Sequence, residues 1–247
     1  MLIKINEMNI NYEKCGAGEP LLLLHGWGLN LHTFDNLARE LSEEFTVYQI
    51  DLPGFGLSEI LYSLTLDDYV DIVNEFCDEL SIKNPIILGH SFGGRIAMKY
   101  ASKYKVKKLI IVSSPGIKER FDLIKFLKIK FYKISKKIKL NLKMGSKDYK
   151  KASPILKSTL VMAVNEDLSI YLSSIKIPVL LIYGKKDKVV PLYIGEKINK
   201  LIYNSGIVIV PNVGHFPYIE KFRYFLIVVK HFLLSDLKWY HFLLVLF

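Results

Sequence analysis

Pro85-Ile86-Ile87-Leu88-Gly89-His90-Ser91-Phe92-Gly93-Gly94-Arg95-Ile96-Ala97 is the stretch from which the fold can be read. Pro85 to Leu88 is a short apolar run that predicts a buried strand, and Arg95 to Lys103 predicts a helix. Between them lies Gly89-His90-Ser91-Phe92-Gly93, a G-x-S-x-G pattern. A strand that turns straight into a helix crowds the backbone around its central residue. Gly89 and Gly93 relieve that clash, so the Ser91 hydroxyl projects from the turn. The helix N-terminus beneath it favours negative charge developing there. The bland alternative is a serine that only caps a helix in a glycine-rich turn.

Outward from this turn the same alternation recurs. Leu21 to Leu24, Phe45 to Ile50, Lys108 to Val112, Ile177 to Tyr183 and Gly206 to Val210 read as strands, several apolar throughout, as strands covered on both faces are. Thr33 to Leu41, Leu66 to Leu80, Leu192 to Ile202 and Tyr218 to Leu234 read as the intervening helices. This pattern predicts the α/β class: a mostly parallel, doubly wound sheet with right-handed crossovers. Leu2 to Ile5 and Asn9 to Glu13 are expected as an antiparallel hairpin at its edge. The alternation breaks after Val112 and resumes at Ile177, with Gly145 and Pro154 as breakers in a helical, lysine-rich interval. The expected organisation is a core in two parts, 1–113 and 176–235, an inserted helical cap over 114–175 and an apolar tail over 236–247.

Ligands of an open parallel sheet bind at the carboxyl ends of its strands, so polar residues there matter most. Serine is a poor nucleophile unless a base activates it and a third group orients the base. His215, in Asn212-Val213-Gly214-His215 after the last strand, is the candidate base. Asp187, in Tyr183-Gly184-Lys185-Lys186-Asp187, is the candidate orienting acid, with Glu166 and Asp167 as alternatives lying before that strand. An oxyanion hole needs backbone N–H groups facing the serine. His25-Gly26-Trp27-Gly28 follows the strand Leu21 to Leu24, and the amides of Trp27 and Phe92 form the natural donor pair. Gly26 and Gly28 are expected to permit close backbone approach, and His25 and His90 to be structural.

The chain has 247 residues, 51% of them hydrophobic and 23% charged, which excludes a disordered or collagen-like protein. Two cysteines cannot make a disulfide framework, and Cys77 shares an apolar helix face with Ile72, Val73, Phe76 and Leu80. Met1 to Glu13 alternates like a strand and lacks the form of a signal peptide, so a cytoplasmic location is expected. Phe222 to Phe247 is rich in Leu, Phe and Val but interrupted by Lys230, His231, Asp236, Lys238 and His241. Twelve residues from Asp236 onward are too few to span a bilayer, leaving a packing tail or a peripheral membrane contact as the readings. Gly16 and Gly18 precede a strand without a dinucleotide fingerprint, and no metal-binding motif is visible, so neither cofactor nor metal is expected.

The net charge of +10 has one source. Between Ile117 and Ala152, twelve lysines and Arg120 stand against Glu119, Asp122 and Asp148, and elsewhere 21 basic residues balance 21 acidic ones. Ile124, Leu127, Phe131, Ile134 and Ile138 recur at spacings of three and four, with Lys125, Lys128, Lys133, Lys136 and Lys137 among them. A cationic amphipathic helix is predicted there. Its lysines either face water above the core or meet an acidic acyl-carrier protein or anionic membrane surface. No nucleic-acid motif accompanies the charge.

His25 to Gly28, Asp51-Leu52-Pro53-Gly54-Phe55-Gly56, Gly89 to Gly94, Asp187 and His215 together resemble the α/β-hydrolase fold superfamily, over roughly 21–112 and 177–234. Leu22 to Asn30 and Asp51 to Ser58 are similar to the pimeloyl-carrier-protein methyl ester esterases and related small carboxylesterases. The resemblance implies Ser91 as nucleophile, His215 as base, Asp187 as its partner and Trp27 at the oxyanion hole, in the chain order serine, aspartate, histidine. This chain departs from those esterases at His90, where they usually carry Trp, at Phe92, where they carry Leu, and in a basic segment built of lysine instead of arginine. The expected function is a serine hydrolase acting on a small-molecule acyl ester or thioester through an acyl-enzyme. Carbon–carbon hydrolases, lipases and aminopeptidases of the same scaffold, and a non-catalytic ligand receptor, are the alternatives.

Overall fold

The computed structural model describes residues 1–117 and 153–235. The predicted amphipathic helix around 124–138 and the tail 236–247 lie outside the described residues. An eight-stranded sheet runs in the order β1-β2-β4-β3-β5-β6-β7-β8. Its strands are β1 (Leu2–Ile5), β2 (Met8–Cys15), β3 (Glu19–Leu24), β4 (Phe45–Ile50), β5 (Ile86–His90), β6 (Leu109–Val112), β7 (Val179–Gly184) and β8 (Ser205–Val210). The β1–β2 and β2–β4 pairs are antiparallel, and every pair from β4 through β8 is parallel. This is the mostly parallel sheet expected from the alternation.

Helices cover both faces, and the strands divide their side chains between them with a period of two. On one face Leu22, Leu24, Ile87, Ile111 and Leu181 pack with helices α2 (Leu66–Glu79), α3 (Phe92–Lys103) and α6 (Leu192–Leu201). On the other, Leu21, Leu23, Leu88, Val112 and Ile182 pack with α1 (Asp35–Leu41) and α8 (Phe222–Leu234). Thr65 caps α2 in a reciprocal capping box with Asp68, satisfying N–H groups that the helix leaves unpaired.

Between β6 and β7 the described residues form α4 (Pro154–Val164) and the short α5 (Ser169–Leu172). Helix α4 is fixed to the loop after β4: Leu64 N–H donates to Thr159 Oγ1 at 3.0 Å, and a side chain at Gly54 would collide with Leu156 Cδ2. Helix α3 secures the return to the sheet. Its Arg95 donates to the carbonyls of Ala163, Pro115 and Glu166, and its buried Lys99 sits 2.6 Å from Asp67 and 2.5 Å from Glu166.

Two expectations need correction. The single helix predicted over Tyr218 to Leu234 is broken at Lys221, whose φ of −138° and ψ of 57° separate α7 (Pro217–Glu220) from α8. From α7, Glu220 reaches back to the preceding loop and accepts from its backbone N–H groups. The helix predicted from Thr33 begins instead as a 3₁₀ turn, Leu31–Phe34, before α1. Among the described residues no helix is long and apolar enough to cross a membrane.

Candidate active site

Ser91 stands between the last residue of β5 and the first of α3 with φ of 50° and ψ of −109°, a left-handed conformation costly for any residue with a side chain. The turn is held by Ser91 N–H donating to Val112 O at 2.9 Å and by Ser114 Oγ donating to Ser91 O at 2.6 Å. Glycine is required on both flanks for space. A Cβ at Gly89 would fall 2.5 Å from Gly93 O, and one at Gly93 would fall 2.1 Å from Leu24 O. Helix α3 starts at Phe92, three residues earlier than predicted, so the Phe92 amide belongs to the unpaired first turn.

The loop after β3 comes up against this turn. Gly93 N–H donates to His25 O at 3.1 Å, and a Cβ on Gly26 would meet Ser91 Cβ at 3.3 Å. Gly26 therefore allows close approach. Gly28 does not: nothing lies within 4 Å of a Cβ there, and its φ of +74° is what calls for glycine. The rings of Trp27 and Phe92 meet edge to face at 5.1 Å. Neither the Trp27 nor the Phe92 amide makes a hydrogen bond among the described residues.

Both ring nitrogens of His25 are engaged with backbone groups. Its Nδ1 faces Gly26 O at 2.8 Å and its Nε2 accepts from Leu52 N–H at 3.0 Å, which fixes a neutral imidazole with the proton on Nδ1. Burial lowers its pKa to about 4. Asp51 is the organiser of this corner. Its Oδ1 accepts from Leu31 N–H at 2.7 Å, and its Oδ2 from Asn11 Nδ2 at 2.8 Å and Leu57 N–H at 2.9 Å.

Asp187 and His215 follow the paired strands β7 and β8. His215 Nδ1 lies 2.8 Å from Asp187 Oδ2, and the carboxylate side chain is wholly withdrawn from solvent. The other oxygen, Oδ1, accepts from Val189 N–H at 2.7 Å and Val190 N–H at 2.9 Å, which fixes the plane of the carboxylate. Glu220 braces the His215 loop, its two oxygens accepting from Gly214 N–H at 2.9 Å and Phe216 N–H at 3.2 Å. The roles of Glu220 and Asp51 have no signature in the sequence, because Glu220 holds backbone amides, and Asp51 holds backbone amides together with the side chain of Asn11, 40 residues away.

His215 lies on the Ser91 side of the site, its ring centroid 4.8 Å from that of His90, the residue before the serine. No hydrogen bond joins Ser91 to His215 among the described residues; such contacts commonly close only with substrate in place. The two alternative acids are engaged elsewhere: Glu166 pairs with Lys99, and Asp167 Oδ1 accepts from Ser169 N–H. Among the described residues, Glu13, His32 and Asp35 could offer atoms to a metal, but all three are exposed and His32 already pairs with Asp35. Ser91 at its strained turn, the hydrogen-bonded pair of His215 and Asp187, and the Trp27 and Phe92 amides all follow the carboxyl ends of neighbouring strands, where ligands of a parallel sheet bind.

Residues 19–136 match the family described as the alpha/beta hydrolase fold. The pimeloyl-[acyl-carrier protein] methyl ester esterase of Wigglesworthia glossinidia brevipalpis is 34% identical, over 88% of this chain and 95% of that protein. The AB hydrolase superfamily protein YisY of Bacillus subtilis is 28% identical over 85% and 89%. Among solved structures, a bacterial membrane phospholipase A superposes with a TM-score of 0.83 at 23% identity, covering 94% of this chain and 84% of that one. A bromoperoxidase from Bacillus anthracis superposes at 0.79 with 21% identity, over 95% and 99%. At those identities the superpositions speak for the fold alone.

Proposed function

The chain belongs to the α/β-hydrolase superfamily, and we propose that within it the protein is a serine esterase that cleaves a carboxylic ester or thioester through an acyl-enzyme. The observation that carries this reading is the Asp187–His215 contact of 2.8 Å, at the end of the sheet where Ser91 occupies a strained strand-to-helix turn.

In this mechanism Asp187 holds the proton on His215 Nδ1, leaving Nε2 free as the base. His215 Nε2 takes the Ser91 proton as Oγ bonds to the acyl carbon, and the carbonyl oxygen becomes an anion. The amides of Trp27 and Phe92 hold that anion. Collapse breaks the bond to the leaving alkoxide or thiolate, which takes the proton from His215 and departs with the acyl group left on Ser91. Water then repeats the sequence and releases the acid. The Ser91 backbone needs no reorganisation, because its conformation is set by β5, α3 and the glycines flanking it.

A finer reading concerns the substrate. Several relatives bear the name pimeloyl-[acyl-carrier protein] methyl ester esterase, and the whole +10 charge of this chain is concentrated in 117–152. A basic segment of that kind suits an ester presented by an acidic carrier protein, with an anionic membrane surface as the competing partner. The test of the central reading is turnover of a short p-nitrophenyl ester. The Ser91→Ala variant is expected to lose about 10³-fold or more in kcat, since nucleophile and base act as a unit. A variant within about threefold of the unmodified protein overturns it.

A further inference from the structure

His90 lies next to the nucleophile in sequence, yet the acyl-transfer scheme gives it no part. It is 1% exposed, and every polar atom of its ring is engaged. Its Nε2 is 3.0 Å from the backbone carbonyl of His215. A carbonyl can only accept, so Nε2 carries the proton, and in a neutral ring Nδ1 is left as an acceptor. Tyr218 OH stands 3.3 Å from Nδ1 and must donate to it. With its hydrogen so used, the Tyr218 oxygen accepts from Thr33 Oγ1, 3.2 Å away. The direction of the whole chain, Thr33 to Tyr218 to His90 to His215, is thus set by the one group in it that cannot donate. Burial and the neighbouring His215 hold the His90 pKa well below the ordinary histidine value, consistent with this neutral form.

The chain joins three segments. Thr33 is in the 3₁₀ turn following the loop that contains Trp27, His90 ends β5, and Tyr218 lies on α7 just beyond His215. The loop at 214–216 is therefore held at consecutive backbone groups from two sides, by Glu220 at the amides of Gly214 and Phe216 and by His90 at the carbonyl of His215. Gly26 completes the enclosure, since a side chain there would press within 2.8 Å of His90 Nδ1.

We propose that His90 is a positioning residue for His215: its Nε2–H fixes the His215 carbonyl, and Tyr218 with Thr33 fixes His90 in the only tautomer able to do so. The proposal rests on the serine-esterase reading, in which His215 must be aimed at Ser91. Misplacing a catalytic group by about 1 Å costs on the order of 10²-fold in rate, and a loop that has lost one of its ties is displaced on that scale.

Three variants test it on a short p-nitrophenyl ester. His90→Leu removes the donor while filling the space, and is expected to lower kcat about 30-fold with KM within about twofold. His90→Gln restores an N–H donor and is expected to recover most of that loss. Tyr218→Phe removes one hydroxyl and is expected to lower kcat several-fold with the same split. Nitrogen NMR of the His90 imidazole, which needs no activity, is expected to show Nε2 protonated and Nδ1 bare from pH 8 to 5. A proton on Nδ1, an unchanged kcat in His90→Leu, or a His90→Gln variant no better than His90→Leu overturns the proposal. If His90→Leu does not fold, Tyr218→Phe and the tautomer decide: an unchanged kcat in that variant or the opposite tautomer overturns it. Ser91→Ala measured alongside separates the two levels, because its full activity would overturn the esterase reading itself, whereas its inactivity with a normal His90→Leu overturns only the role of His90.

Discussion

Asp187 Oδ2 meets His215 Nδ1 at 2.8 Å while its partner oxygen is pinned by the amides of Val189 and Val190, so the carboxylate can neither rotate away nor reach water. In the proposed mechanism an acid held this way selects the imidazole tautomer. Asp187→Asn keeps an oxygen for the two amides but turns an N–H₂ towards His215, which favours the wrong tautomer. Turnover is expected to fall about 10³- to 10⁴-fold with the unfolding midpoint little changed. A fully active Asp187→Asn would mean another carboxylate serves.

Lys99 is buried at 1% exposure between Asp67 and Glu166, while those carboxylates are 48% and 26% exposed. Removing a carboxylate leaves a buried ammonium short of a partner, whereas removing the lysine leaves acids that can hydrate. Glu166→Ala is accordingly expected to cost about 2 kcal/mol in urea unfolding and Lys99→Met distinctly less. The reverse order would show that the pair is not what ties α3 to the segment before β7.

The buried histidines make stability depend on pH. His25 is neutral in the folded protein, with a pKa of about 4 against 6.5 ordinarily, so the unfolded chain binds the extra proton between those values. Stability is therefore whole above about pH 6.5 and is lost as pH falls towards 4, by about 2 kcal/mol between pH 7 and 5. His90, lowered by burial as well, acts in the same direction. Urea titrations at the two pH values check this; equal stabilities would contradict it.

Much of this was legible in the sequence and some was not, for a physical reason. Ser91, Asp187 and His215 each follow an apolar run that becomes a strand, and strand ends can be read from hydrophobic pattern. The break at Lys221 was hidden because Phe222 to Leu234 carries its helical pattern back across it. Lys99 with Glu166 and Tyr218 with His90 are 67 and 128 residues apart, and no local periodicity records a pairing made through space.

The lysines of 117–152 supply a prediction about substrate. Replacing Lys125, Lys128, Lys133, Lys136 and Lys137 with glutamine is expected to leave a small neutral ester turned over as before, yet lower kcat/KM on a carrier-bound ester. The difference should shrink as salt shortens the Debye length below about 8 to 10 Å. An equal response of neutral and acidic substrates would contradict a docking role.

The most direct test of the account is where a fluorophosphonate attaches. Mass analysis of the labelled, digested protein is expected to place one phosphonyl group on the peptide containing Ser91, and Asp187→Asn to slow that labelling sharply. A label on any other residue, or none on a folded protein that turns over the ester, would contradict the assignment of Ser91 as nucleophile.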